Sequence, residues 1–196
     1  TNNLTTNTLV QGAMALLLSQ LSGERDIVYG VTFAGRPPAL PGVDSIMGLL
    51  IHSLPLRVPV VANRPLLPWL ESLLQTQVAI EPYSYTPLHA IQEWCDHPQP
   101  LFHCNLRFQN FPMDDALRQR WGEELAIRNA TMVDWWHYPV NIVVTPGAQL
   151  NLAMTFDTRV IDERQVGCWL ADLERILASF VEQPHALLSV HCATLV

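Results

Sequence analysis

Hydrophobic residues recur with the spacing of an α-helix in five stretches of the chain. Apolar side chains three or four positions apart predict helices over residues 4–21, 43–51, 65–77, 86–94 and 163–182. Thr5 or Thr6 is placed to cap the first of these helices, and Asp162 is placed to cap the last. The second helix would carry His52 at its end, where Pro55 forces the chain out of it.

Other stretches combine β-branched residues with alternation, which is typical of strands. They predict strands over residues 26–33, 56–61, 101–110, 140–144 and 150–156, with a weaker one over 125–134. The first is apolar on both faces and is expected inside a sheet covered on both sides. Pro59 restricts the second to an edge, and the last two alternate across a hairpin turn at 145–149. The pattern predicts an α/β fold, with helices flanking a mixed, largely antiparallel sheet.

The composition indicates a single domain with apolar surface. Of the 196 residues, 49% are hydrophobic and only 15% are charged, which fits one core and favours apolar surface presented to a partner. The net charge is −7, and the eleven cationic residues are all arginines that form no basic stripe, so no nucleic-acid partner is expected.

Cysteine spacing and hydropathy indicate a cytoplasmic protein. The four cysteines lie far apart, without the spacing of a zinc site or of a disulfide framework. No apolar run reaches the roughly 18 residues of a membrane span, so no membrane partner is expected. The first residue is Thr1 rather than methionine, which indicates an engineered or processed product, or a segment of something longer.

The residues alone reveal no self-contained active site. None of the seven histidines stands in an H-E-x-x-H or H-x-H pattern, so no metal site is predicted. The i,i+4 pair of His89 and Glu93 fits a solvated pair better than a metal site. Neither the G-x-S-x-G turn of hydrolases nor a glycine-rich nucleotide loop occurs.

Five motifs, in order along the chain, resemble the condensation domain of nonribosomal peptide synthetases. They are residues 5–18 with 26–37, residues 48–57 (GLLIHSLPLR), residues 85–92 (YTPLHAIQ), residues 100–112 with P-L-F and F-Q-N-F-P, and residues 136–157 with W-H-Y-P-V, Pro-Gly and Phe-Asp. The resemblance implies a chloramphenicol acetyltransferase-like lobe. In that fold two related lobes form a V around a tunnel.

Within that family the chain resembles the second lobe. The resemblance implies that residues 1–196 are an incomplete C-terminal subdomain, with a floor loop at about 35–48 and a latch hairpin at about 140–156. The catalytic H-H-x-x-x-D-G motif of the first lobe has no counterpart here. We therefore expect no catalytic residue in this chain and no activity from it alone. The low charge would be explained by an exposed latch hairpin bearing Ile142, Val144, Leu150 and Leu152.

The implied reaction joins a carrier-bound donor acyl thioester to a carrier-bound acceptor amine in the biosynthesis of an antibiotic or other secondary metabolite. The implied partners are the first lobe, upstream and downstream peptidyl carrier domains with their phosphopantetheine arms, and an adjacent adenylation domain. No cofactor is expected to bind directly. A catalytically silent carrier-binding or scaffold module of the same fold is an alternative. An epimerisation or heterocyclisation relative is another, against which the stretch at 48–57 argues.

The resemblance also assigns one supporting residue and a shaped loop. Arg36 matches the arginine that pairs with the aspartate of the catalytic motif and so supports the catalytic loop. The alternative is that Arg36 merely caps a loop carbonyl. Gly35, Pro37 and Gly42 belong to the floor loop, in which prolines and glycines exclude regular structure.

The tunnel wall is expected to include His52, Ser53, Asn110, His137 and Tyr138. His52 and His137 stand where the family usually has asparagine. A neutral imidazole has one donor and one acceptor, whereas asparagine has two donors and an acceptor. The exchange could retune the polarity of the acceptor side or make it sensitive to pH. Alternatively, each histidine simply hydrogen-bonds a backbone carbonyl.

Overall fold

The structure is a computed structural model, and it describes residues 4–37, 40–95, 97–109 and 137–193. Five strands of these residues form one sheet: β1 (Asp26–Phe33), β2 (His52–Pro59), β3 (Cys104–Phe108), β4 (Val140–Thr145) and β5 (Asn151–Phe156). Their order across the sheet is β2-β1-β3-β4-β5. The predicted strand at 125–134 lies outside the described residues.

The strand pairing is mixed, as predicted. β1 and β2 are antiparallel over their whole length, and β4 and β5 form the predicted antiparallel hairpin. β3 runs parallel to both of its neighbours, β1 and β4. β2 lies at one edge of the sheet, where Pro59 can be accommodated because one side of an edge strand needs no partner.

The helices are α1 (Thr6–Ser22), α2 (Leu66–Ile80), α3 (Leu88–Trp94), α4 (Glu163–Glu182) and α5 (Leu188–Cys192). Thr5 caps α1, and Asp162 with Gln165 forms a capping box at the start of α4. Residues 10–17 of α1 are all buried, since α2, α4, α5 and β1 contact this helix. A helix buried on every side is expected to be apolar all round, as residues 12–17 are.

One face of the sheet is apolar and packs against the helices. The register places these buried side chains on it: Ile27, Tyr29, Val31, Leu54, Leu56, Val58, Leu106, Ile142 and Val144. The Tyr29 hydroxyl donates a hydrogen bond to the Gln11 carbonyl of α1 at 2.8 Å, and burial raises the pKa of Tyr29 far above its ordinary range. This apolar face holds the core of the described fold.

The opposite face of the sheet is polar. The same register turns Thr32, Ser53, Asn105, Arg107 and Asn141 away from the core, and we call this the polar face. Its smallest member is Gly30, against which the Phe102 ring packs so closely that a Cβ would lie 2.3 Å from Phe102 Cε2. β1 is therefore covered on both sides, but only one side is apolar.

Two sequence-based expectations were wrong. The predicted helix over 43–51 is only a 3₁₀ turn, Val43–Ser45, and β2 already begins at His52. Gly42 and Gly48, at φ 73° and 147°, interrupt the segment that the apolar spacing suggested. The hairpin is not a bare apolar surface either, because Ile142 and Val144 are 1% and 0% exposed in the core. Their spacing alone does not distinguish an interface from an interior.

Candidate functional site

The floor loop, residues 35–48, begins at Gly35, which packs against the backbone of residue 50. Gly35 has φ +65°, and a methyl group at this position would lie 1.7 Å from the Leu50 carbonyl oxygen. No other residue fits without moving the backbone of residue 50, because both the φ angle and the contact exclude a Cβ. The first residue of the loop is therefore held against the backbone of residue 50, just beyond the end of the loop.

Arg36 holds the interior of the same loop. Its Nη1 donates a hydrogen bond to the Val43 carbonyl, and its Nη2 donates to the Ile46 carbonyl at 3.1 Å. These are the loop-capping contacts that the sequence offered as one alternative for Arg36. Because these carbonyls are neutral, they do not cancel the charge of Arg36. Gly42 and Pro37 lie exposed in this loop, as a shaped connection requires.

A pocket of about 290 Å³ lies between the floor loop and the ends of β1 and β3. Its described lining consists of Thr32, Ala34, Arg36, Gly48, Leu49, Leu50, Ile51, Arg107, Phe108 and Gln109, without an aspartate or glutamate among them. The carboxyl ends of parallel strands are the usual ligand-binding edge of an open α/β sheet. Met47 and Leu49 beside the pocket are 97% and 85% exposed, which marks an apolar surface able to meet a partner.

The adjacent residues His52 and Ser53 point to opposite faces of β2. Ser53 stands opposite Thr32 on the polar face, where their hydroxyl oxygens lie 3.4 Å apart. His52 stands opposite Phe33, at the end of the apolar face. Because neighbouring side chains in a strand alternate, only Ser53 shares a surface with the rest of the polar face.

Tyr138 lies on the polar face as well. Its ring lies 4.9 Å, centroid to centroid, from that of Phe102, which packs against Gly30. Burial raises the pKa of the Tyr138 phenol, and the facing Ser53 hydroxyl opposes part of that rise. The structure thus joins two of the expected tunnel residues that are far apart in sequence. His137 is exposed, and Asn110 lies outside the described residues.

Two buried asparagines on the polar face were missed by sequence reasoning. Asn105 and Asn141 are each 1% exposed. Asn105 Nδ2 donates to Thr32 Oγ1 at 3.1 Å, and Asn141 Nδ2 donates to the Tyr138 carbonyl at 3.0 Å. Among the described residues, the Oδ1 atoms of both have no hydrogen-bond partner. We call Asn105, Thr32 and Ser53 the polar row.

The sequence feature that could have revealed this row is the residue composition of the strands. Asparagine and glycine are unfavourable inside strands, so Gly30 and Asn105 between apolar residues indicate close approach or a polar contact. Their common face depends on the pairing of β1 with β3, which no local pattern reveals. Across the described ranges, no three histidine, cysteine, aspartate or glutamate side chains lie together as metal ligands, and no helix there is long and apolar enough to cross a bilayer.

Comparison with known proteins decides the family. The family model of the condensation domain matches residues 1–192. The chain belongs to the condensation domain family. One of the linear gramicidin synthase proteins of Brevibacillus parabrevis is 35% identical over an alignment of 198 positions, gaps included, that covers 96% of this chain but 4% of that relative. The resemblance found in the sequence motifs is thereby confirmed.

Solved structures confirm the fold. The starter condensation domain of rhizomide synthetase superimposes with a TM-score of 0.74 at 15% identity, over 93% of this chain and 41% of its own. A four-domain nonribosomal peptide synthetase bound to AMP and glycine gives a TM-score of 0.82 at 13% identity, over 95% of this chain and 15% of its own. The chain therefore has a chloramphenicol acetyltransferase-like condensation fold and spans less than half of these structures.

Proposed function

We propose that this chain is the second lobe of a peptide-bond-forming condensation domain. In the reaction, the amine nitrogen of a carrier-bound acceptor attacks the carbonyl carbon of a carrier-bound acyl thioester. The new C–N bond replaces the C–S bond, and the nitrogen loses a proton while the donor carrier's thiol is released. The base that assists this transfer belongs to the H-H-x-x-x-D-G motif, which is absent from this sequence. Peptide-bond formation is the general function of the family.

The assignment to one lobe is supported by coverage. The alignment uses 93% of this chain but 41% of the rhizomide condensation domain. One of two related lobes would give such a fraction. The exposed Met47 and Leu49 of the floor loop then face the other lobe, where their apolar surface is removed from water.

Arg36 is the observation that carries the proposal. A guanidinium has five N–H donors, of which the Val43 and Ile46 carbonyls use two. Arg36 is partly buried, and two carbonyls satisfy its hydrogen bonds without balancing its charge. An aspartate from the other lobe would supply a full negative charge and form a charge-assisted hydrogen bond. Arg36 would then fix the floor loop and the catalytic loop together.

The test compares amide formation by the complete condensation domain that contains this chain with that by Arg36 variants. Two carrier domains loaded with donor and acceptor are mixed with the enzyme, and the dipeptidyl carrier is measured by mass spectrometry. Arg36→Lys keeps the charge but cannot bridge two carbonyls and a carboxylate, so we expect a loss of about tenfold to a hundredfold.

Arg64→Lys is the matched control, because Arg64 also donates to a carbonyl, that of Pro68, at an exposed position. It should retain activity. This chain alone should form no amide, and mixing it with the separately expressed N-terminal remainder of the domain should restore product. Amide formation by this chain alone would refute the division of roles between the lobes.

A further inference from the structure

The pocket of about 290 Å³ lies where the polar face of the sheet meets the floor loop. Thr32 and Ala34, at the end of β1, line it together with Arg107 and Gln109, at the end of β3. β1 and β3 are parallel neighbours, and side chains two positions apart lie on the same face of a strand. These four residues therefore belong to one surface, and residues 48–51 line the pocket from the floor loop.

The polar side chains around the pocket are bound to other parts of the protein. Arg36 donates to two carbonyls of the floor loop. In the amide orientation that satisfies its hydrogen bonds, the Gln109 oxygen accepts from Arg107 Nε at 2.9 Å and from Nη2 at 2.6 Å. Thr32 Oγ1 accepts from Asn105 Nδ2 at 3.1 Å. A long side chain whose head is bound in this way still presents its aliphatic stem, and apolar atoms predominate in the walls of the pocket. The pocket therefore favours an apolar group over a charged one.

The volume of the pocket limits that group to about one side chain. An apolar cavity of about 150 Å³ is enough for a benzene ring, and sites for whole small molecules usually begin at about 300 Å³. A pocket of about 290 Å³ is therefore large enough for a branched or aromatic side chain, but it is small for a peptide or for a phosphopantetheine arm.

The position of the pocket is suited to a substrate. Ligands of open α/β sheets bind outside the carboxyl ends of parallel strands, and β1 and β3 both end here. Arg36 lines the pocket, and the proposed function pairs Arg36 with the aspartate of the catalytic motif. Leu49 and Ile51, which also line it, are 85% and 42% exposed. An apolar group in the pocket would remove part of their surface from water.

We propose that the pocket binds the apolar side chain of one of the two amino acids that the reaction joins, and that Ala34 and Ile51 limit the size of this side chain. The inference rests on the proposed function, which supplies the aminoacyl substrates. Apart from Gly48, Ala34 has the smallest side chain of the described lining, so a longer one here would take the place of the substrate. The bound side chain belongs to the donor or to the acceptor, and two series of substrates distinguish these sources.

The test measures how kcat/KM depends on side-chain size in the complete condensation domain. Carrier domains are loaded chemically with glycine, alanine, leucine or phenylalanine. These amino acids are supplied first as acceptors with one constant donor, and then as donors with one constant acceptor. In one series, kcat/KM should rise by about tenfold or more from glycine to leucine, because the larger side chain buries apolar surface in the pocket. Flat profiles in both series overturn the proposal.

Ala34→Leu is expected to fill the pocket. In the series that depends on size, it should lower the ratio of kcat/KM for phenylalanine to that for glycine by about tenfold. Ala178→Leu is the matched control, because it makes the same substitution at an exposed position of α4, and it should keep the ratio. An unchanged ratio in Ala34→Leu, including an equal loss with every amino acid, would mean that the pocket receives a part of the other lobe and would overturn the proposal.

Ile51→Ala is expected to enlarge the pocket, which separates selection by size from general damage to the fold. It should raise the ratio of kcat/KM for tryptophan to that for leucine by about threefold or more, opposite in direction to the effect of Ala34→Leu. A shift toward smaller side chains in both variants would overturn the size limit. If the wild-type domain formed amide from no pair of substrates, the proposed function and this inference would both fail. Amide formation with unaltered ratios would overturn this inference alone.

Discussion

Gly35→Ala should be more harmful than an alanine at the other left-handed glycine of the floor loop. Gly35 and Gly42 have φ angles of +65° and +73°, so each alanine carries about 1–2 kcal/mol of backbone strain. A Cβ at Gly42 would have nothing within 4 Å, whereas at Gly35 it would meet the Leu50 oxygen at 1.7 Å. A comparison of the two variants therefore separates the free-energy cost of backbone strain from that of the steric clash.

The collision adds to the free-energy cost at Gly35. The Leu50 carbonyl must retreat from 1.7 Å to at least 3.0 Å from the new methyl group, and overpacking of this kind costs about 1–3 kcal/mol. We expect Gly42→Ala to lower the free energy of unfolding by about 1–2 kcal/mol and Gly35→Ala by about 2–5 kcal/mol. The movement also deforms the pocket, because Leu50 lines it.

Urea denaturation of the complete domain, followed by tryptophan fluorescence and far-UV circular dichroism, measures both values. Equal m-values for the variants would show that the comparison concerns stability rather than a change in the unfolded state. Losses within about 0.5 kcal/mol of each other would refute the contact between Gly35 and Leu50. Turnover by Gly42→Ala should also exceed that by Gly35→Ala.

Three further changes test the packing. Gly30→Ala should destabilise by about 1–3 kcal/mol in urea, and Phe102→Ala should remove part of that penalty in a double-mutant cycle, because Asn105 Oδ1 would still lie 2.7 Å from the new Cβ; additive losses would contradict the contact. Asp162→Ala should cost about 1 kcal/mol through the lost capping box, and an unchanged urea midpoint would contradict it. Burial lowers the pKa of His191, which contacts Ser179 at 2.9 Å, so the unfolded state binds the proton first. Stability should therefore fall as pH drops below about 6.5, and less so in His191→Gln.

Local signals predicted the elements whose causes are local. The capping residue Asp162 and the apolar stripe behind it determine where α4 begins and which side it buries, and both are visible in the sequence. The same kind of reasoning gave a wrong prediction for the floor loop. Met47 and Leu49 have helical spacing relative to their neighbours, yet they are exposed because the turn already ends at Ser45, and Gly48 at φ 147° does not continue it. Apolar spacing identifies a face to be covered but not the molecule that covers it.

The candidate site could be predicted only in part, because register decides which residues share it. Ser53 and His52 are adjacent in a motif, and a shift of one position in the pairing with β1 would exchange their faces. Ser53 and Tyr138 lie on the same face only because of the path that the chain takes over the sheet. A motif therefore predicts that residues lie near a common surface, but the pairing of strands decides which of them face it.

The polar face of the sheet carries a free-energy cost that packing alone does not explain. It buries the Asn105 and Asn141 oxygens, which have no hydrogen-bond partner among the described residues, at a cost of about 1–3 kcal/mol each. On the side of the sheet that packs against the helices, Gln11 Oε1 of α1 is also a buried oxygen without a partner among the described residues. The strands, however, bury only apolar side chains on that side, or hydrogen-bonded ones such as Tyr29. Buried strand residues that served stability alone would be apolar. Natural proteins tolerate such costs where a ligand must be bound, and these two asparagines lie on the same face as Tyr138.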